Sequence, residues 1–197
     1  MKRISLIIAL TLIISILAGC AGEEASTAAP AKSEPAETVA EEPEESLVSK
    51  YPSFKVTSEN LNNGVWDDCI SNTKKGENVS PQLSWEPVEG AEMYFVYMVD
   101  TSMQDWIHWK SDYITETSIP KGFASENEYI GPYPPEGGEH TYEIYVLAIK
   151  KPLERIKGSL NGQNMKFAKF IDDADTDAEG NTGNVVGGAH LSGTFKN

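Results

Sequence analysis

The chain has 197 residues, 40% hydrophobic and 23% charged, enough for one ordinary domain with a real core and too few for a two-domain enzyme of the usual size. Its 16 Lys and Arg face 30 Asp and Glu, a formal charge of −14, which repels polyphosphate backbones and argues against nucleic acid or a general anionic lipid surface as partner. Any anion it binds must be held by a local set of donors, and two cysteines, Cys20 and Cys69, exclude a disulfide framework.

Lys2 and Arg3 precede an almost unbroken apolar run from Ile4 to Leu17, followed by Leu17-Ala18-Gly19-Cys20. This is the pattern of a signal peptide over 1–19, too short for a comfortable membrane span. The small residues before Cys20 resemble the bacterial lipobox, whose cleavage leaves the cysteine at the new N-terminus carrying lipid on its sulfur and amine. Two or more acyl chains, of the palmitate kind, give the stable anchoring that one chain does not. The expected location is the bacterial cell envelope, outside the cytoplasmic membrane and anchored through Cys20.

Residues 20–50 then change composition to Ala, Glu, Pro, Ser and Thr, with eight Glu and two Lys. Such a segment lacks the apolar surface to fold and reads as a disordered acidic tether. As a flexible coil it spans about 30 Å, more where glutamates repel one another. Lys2 and Arg3 contribute +2 to the total of −14 and the tether −6, so −10 belongs to the domain at 51–197.

Within that domain short strands are predicted over Phe54 to Thr57, Met93 to Val99, Trp106 to Ile114, Thr141 to Ile149 and Ala189 to Phe195, with Gly, Pro and Asn between them. In the last, Ala189, Leu191, Gly193 and Phe195 share one side. The run Met93 to Val99 is apolar on both faces, as for a strand inside a two-layer core. The expected fold is mostly β, an antiparallel β-sandwich with one or two short peripheral helices. One helix is predicted between Gly162 and Asp173, capping an end of the sandwich. The alternating aspartates of Asp172 to Gly180 suggest a calcium loop, but counted from Asp173 the sixth position is Ala178 and the twelfth Asn184, so an EF-hand fails twice and a solvated loop remains.

Two clusters combine imidazoles, carboxylates and stiff backbone with no need of core packing. The first is Asp100, at the end of the apolar strand, followed by Asp105, Trp106, His108 and Trp109. The second is Gly131-Pro132-Tyr133-Pro134-Pro135-Glu136-Gly137-Gly138-Glu139-His140, whose prolines fix φ and whose glycines allow sharp bends, making a rigid wall. His190 reads as structural, Trp66, Trp85 and Trp106 as core or rim, and Cys69, behind Asp67 and Asp68, as an unreactive thiol.

Asn78-Val79-Ser80-Pro81-Gln82-Leu83-Ser84-Trp85, then Asp100, His108-Trp109, Gly131-Pro132-x-Pro134-Pro135 and His140-x-Tyr142 resemble, in order, the signature of the phosphatidylethanolamine-binding protein family and its bacterial branch, often labelled Raf kinase inhibitor-like. The resemblance runs from about Phe54 to Phe195. It implies a Greek-key β-sandwich with a small pocket for an anion, such as phosphate or a phospholipid head group, lined by Asp100, His108, Pro132, Pro134, His140 and Tyr142. The chain departs from the family pattern at Ser102, where a second acid is usual, at Lys110-Ser111-Asp112, which replaces an apolar run, and at Thr141, where Arg is common.

On physical grounds two histidines can hold a phosphoryl oxygen by charge-assisted bonds, while Asp100 must accept a ligand proton, face an ammonium or orient a histidine. The function expected is non-enzymatic binding of a small anion, without cofactor. Two alternatives stand beside it: a protein-partner module acting on an envelope protease or cell-wall enzyme, and a metal-dependent hydrolase using Asp100, His108 and His140. No Gly-x-Ser-x-Gly elbow, His-Glu-x-x-His helix or paired-cysteine metal motif is present.

Overall fold

The computed structural model of the protein describes residues 46–197. The expected signal peptide, Cys20 and the tether up to residue 45 lie outside the described residues. The strands are β1 (Val56–Thr57), β2 (Leu61–Asn62), β3 (Val65–Trp66), β4 (Leu83–Trp85), β5 (Met93–Asp100), β6 (Trp106–Ile114), β7 (Ser118–Ile119), β8 (Glu139–Ile149) and β9 (Val185–Lys196), with one helix, α1 (Phe167–Asp173). One sheet has the order β2-β3-β9-β8-β5-β6 and the other β1-β4-β7. Every pair is antiparallel except β3 with β9. After the β5–β6 hairpin the chain crosses to the small sheet for β7 and returns to lie beside β5, the Greek-key manoeuvre.

All eight residues of β5 are buried, and alternation of side chains divides them between two cores. Tyr94, Val96 and Met98 point inward to Leu83, Trp85 and Ile119 of the small sheet, while Met93, Phe95, Tyr97 and Val99 point outward. The outer face is covered by α1 and its flanking loops, so the helix lies over the sheet and does not cap its end. Phe167 of α1, fully buried, meets the rings of Tyr97 and Tyr145 at 5.2 and 5.5 Å between centroids.

The helix begins five residues later than Gly162 because Asn164 closes a loop instead of opening a turn of helix. Its amide donates to the Ser159 and Gly162 carbonyls at 3.1 and 2.6 Å and accepts from the Ser159 N–H at 2.9 Å. The aspartates beyond the helix are occupied by backbone, as expected of a loop that is not an EF-hand. Asp177 accepts the N–H groups of Glu179 and Asn181, and Asp175 those of Val185 and Gly183.

The boundary at Tyr51 needs moving. Val48, placed in the tether by composition, is 4% exposed and belongs to the outer core. It rests on Gly188 of β9, where any Cβ would come within 2.7 Å of the valine side chain. One apolar residue finding one glycine-lined notch is invisible in an average over thirty polar neighbours.

Candidate functional site

The site grows from the ends of β5, β6 and β8. Asp100 closes β5 and pairs with Trp106 of β6 on one side and Tyr142 of β8 on the other. The hairpin between β5 and β6 is a 3-10 turn, Thr101–Met103, followed by Gln104 and Asp105 at φ of 54° and 55°. Ser102, standing where the family pattern has an acid, accepts the Thr141 N–H at 3.0 Å and fastens this turn to β8 beside His140.

His108 sits on a β-bulge. Met98 pairs with Trp109 and Val99 with Ile107, so His108 has no partner on β5. A bulge frees backbone groups and re-aims a side chain. Here the freed His108 carbonyl accepts the Ile130 N–H at 2.8 Å, while its ring Nδ1 meets the Ile130 carbonyl at 2.7 Å. A carbonyl can only accept, so Nδ1 carries the proton. Burial pushes the His108 pKa below its ordinary value, against the opposing pull of the Ile130 carbonyl and the Asp100 charge. The ring is therefore neutral near pH 7, with Nε2 an acceptor.

His140, the second residue of β8, has its Nδ1 2.6 Å from Asp100 Oδ2, with side chains only 16% and 4% exposed. Of the three roles open to Asp100, orienting a histidine is the one it fills. Both imidazoles thus commit Nδ1 to the protein and leave Nε2 to whatever lies in front of them. Between them stands Tyr142, edge-on to His108 at 5.3 Å and nearly parallel to His140 at 6.4 Å. The Tyr142 hydroxyl and Asp100 Oδ1 are buried without a hydrogen bond of normal geometry. Burial and the nearby carboxylate raise the Tyr142 pKa far above that of a free phenol.

These four side chains line a cavity of about 480 Å³, closed on other sides by Ile130, Gly131, Tyr133 and Pro135 and rimmed by Met103 and Trp106. Pro132 and Pro134, expected on the lining, are buried behind it. An extended segment alternates its sides, and two contacts set the parity. A Cβ on Gly131 would fall 2.1 Å from the Ile70 carbonyl, and the Pro132 carbonyl accepts the Asn72 N–H at 2.9 Å. Asn78 accepts the Gly131 N–H at 2.7 Å, and Ser80, wholly buried, accepts the Ala124 N–H. The Asn78-Val79-Ser80-Pro81 motif is thus a buttress for the wall.

The wall from Gly131 to Pro135 supplies Gly131, Tyr133 and Pro135 to the lining, and the lining residues that sequence reasoning missed are Asn72, Met103, Ile130 and Asn161. Asn161 carried no signal; it reaches the cavity because its N–H bonds the Ile107 carbonyl and its side chain accepts from the Trp106 indole at 3.3 Å. The metal alternative loses its ligand set. Among the described residues no group of three or more His, Cys, Asp or Glu side chains could hold a metal ion; Asp100 is turned to His140. Cys69 is free, and burial raises its thiol, in keeping with an unreactive role.

The sequence matches the family model described as phosphatidylethanolamine-binding protein over residues 57–196. The chain belongs to that family. Two solved structures share the family fold with it: Escherichia coli YbcL, described as a new member of the mammalian PEBP family, and a putative PEBP homolog, CT736, from Chlamydia trachomatis. The first has 21% identity and a TM-score of 0.54, covering 74% of this chain and 99% of its own. The second has 20% identity and a TM-score of 0.52, covering 74% and 98%. No curated protein matches the sequence. The matched region spans every strand that builds the cavity, and membership supports a binding function in general terms.

Proposed function

We propose that the domain binds a small phosphoryl-bearing ligand without chemical turnover, in an envelope protein anchored through Cys20. The observation that carries this reading is the shared geometry of the two histidines, each with Nδ1 held by the protein at 2.7 or 2.6 Å beside the buried Asp100 Oδ1 and Tyr142 hydroxyl, which interact with each other without normal hydrogen-bond geometry. Buried polar groups without partners cost about 1–3 kcal/mol each, and a ligand that satisfies them recovers that cost.

The groups prescribe what such a ligand offers. Tyr142 is a donor, Asp100 Oδ1 an acceptor, and neutral His108 an acceptor at Nε2. A phosphoryl oxygen still carrying a proton suits His108, and an ammonium suits Asp100, so a zwitterion of the phosphoethanolamine type matches both signs. A bare dianion is opposed by Asp100 and by the domain charge of −10, and affinity is modest. The mouth, where Met103 is 41% and Tyr133 65% exposed, also suits a protein partner, the second reading.

Calorimetric titration of the full chain in detergent with phosphate and phosphoethanolamine tests the first reading. Phosphoethanolamine is expected to bind more tightly, and His108→Ala and His140→Ala to bind weakly. Equal binding by all three proteins removes the site, and no binding by the wild type transfers the case to the protein partner.

A further inference from the structure

Behind the ridge made by Tyr133 and Pro135 lies a second groove of about 520 Å³, bounded on its far side by Lys74 and Lys75. The same two ridge residues also line the histidine cavity, so the two spaces share a wall. Lys74 and Lys75 occupy the central positions of a turn closed by the Gly76 N–H on the Thr73 carbonyl at 3.2 Å. The turn is fastened at its base. Ser71 Oγ donates to the Asp68 carbonyl at 2.9 Å and contacts Thr73 Oγ1, which accepts the Lys75 N–H. Asn72 ties it to the proline wall through the Pro132 carbonyl, and across the groove Asn197 ties the chain terminus to the Pro134 carbonyl at 2.8 Å.

Five of the twelve lysines among the described residues form ion pairs with carboxylates. Lys74 and Lys75 are among the seven that do not, and they are the adjacent pair that lines a groove. Two adjacent ammonium groups on a fixed turn repel each other, and the groove's lining holds one carboxylate side chain, Glu136, against them. We propose that the groove is a second anion subsite, and that the ligand class is a molecule carrying two anionic groups joined by a linker that crosses the Tyr133–Pro135 ridge, one group at the histidines and the other at Lys74 and Lys75.

This inference rests on the anion reading of the histidine cavity and adds the identity of the ligand's far end. The test compares methylphosphonate with α,ω-alkane bisphosphonates of increasing linker length, titrated into the full chain in detergent. At the linker length that spans the ridge, the bisphosphonate is expected to bind at least tenfold more tightly than methylphosphonate. Lys74→Gln/Lys75→Gln should remove that advantage while leaving methylphosphonate within about twofold. Lys150→Gln/Lys151→Gln, an equal charge change at the other end of β8, should preserve it. An advantage absent at every length, or removed equally by both double variants, overturns the second subsite while the first stands. Failure of the wild type to bind either probe while it binds phosphoethanolamine overturns the second subsite alone, and failure to bind phosphoethanolamine as well overturns both.

Discussion

Strand β8 and its neighbours β5 and β9 build two trios of like chemistry, each a carboxylate, a histidine and a tyrosine, on opposite faces of the sheet. On the inner face are Asp100, His140 and Tyr142; on the outer face Glu143, His190 and Tyr145. In the outer trio one carboxylate oxygen takes both contacts: Tyr145 donates to Glu143 Oε2, and His190 Nε2 approaches the same oxygen at 3.4 Å, an ion-pair distance without hydrogen-bond geometry. The rings of Tyr145 and His190 pack at 4.9 Å. Burial raises the Glu143 pKa, but contacts with His190 and Tyr145 outweigh it and hold the carboxyl below its ordinary value. The inner trio has one strong contact, His140 to Asp100, and leaves a carboxylate oxygen and a phenol unsatisfied beside a cavity. Residue type does not separate a site from a strut; what separates them here is that the inner trio borders a cavity, whereas the outer trio packs against itself.

The largest effect is expected from Asp100→Ala. It removes both the orientation of His140 and the open acceptor, and charge-assisted bonds contribute about 1.5–3 kcal/mol each, so binding of phosphoethanolamine should fall on the order of a hundredfold by calorimetry. His140→Ala should lose roughly tenfold or more, with the thermal transition little changed. On the outer face the pattern reverses. Glu143→Gln should cost about 1–2 kcal/mol in denaturant unfolding and leave binding within twofold; a comparable loss of binding would erase the distinction between the two faces.

The smallest effect concerns pH. His108 has a folded pKa below its unfolded value of about 6.5, so the unfolded chain binds the proton first. Its contribution to stability is complete above about pH 6.5 and is lost as pH falls from there through the folded pKa. Denaturant unfolding of His108→Gln should lack that acid-side decline. A wild type whose decline matches the variant's would place His108 in a charged, solvated setting.

The long strands β5, β6 and β8 were legible because eight or more residues give alternation room to show. Of the strands with two or three residues, β1 was expected within Phe54 to Thr57, whereas β2, β3, β4 and β7 are too short for any period, although Asn63-Gly64, both at positive φ, marks the β2–β3 hairpin by its turn alone. His108 and His140 were legible as chemistry. The bulge under His108 was not, since it depends on the register with β5, and a register is a property of two strands. The same holds for Pro132 and Pro134: the motif announces an extended stiff wall, but which edge faces the cavity is decided by Ile70 and Asn72, some sixty residues away.

Val48 seats on Gly188, which pairs with Leu147 of β8, whereas the cavity forms around His140 of the same strand. Seven residues of strand put about 23 Å between them. The Val48 contact therefore lies near one pole of the domain, and the binding mouth opens near the other. A bulky label attached beside Val48 is expected to leave the mouth open and its affinity for phosphoethanolamine unchanged.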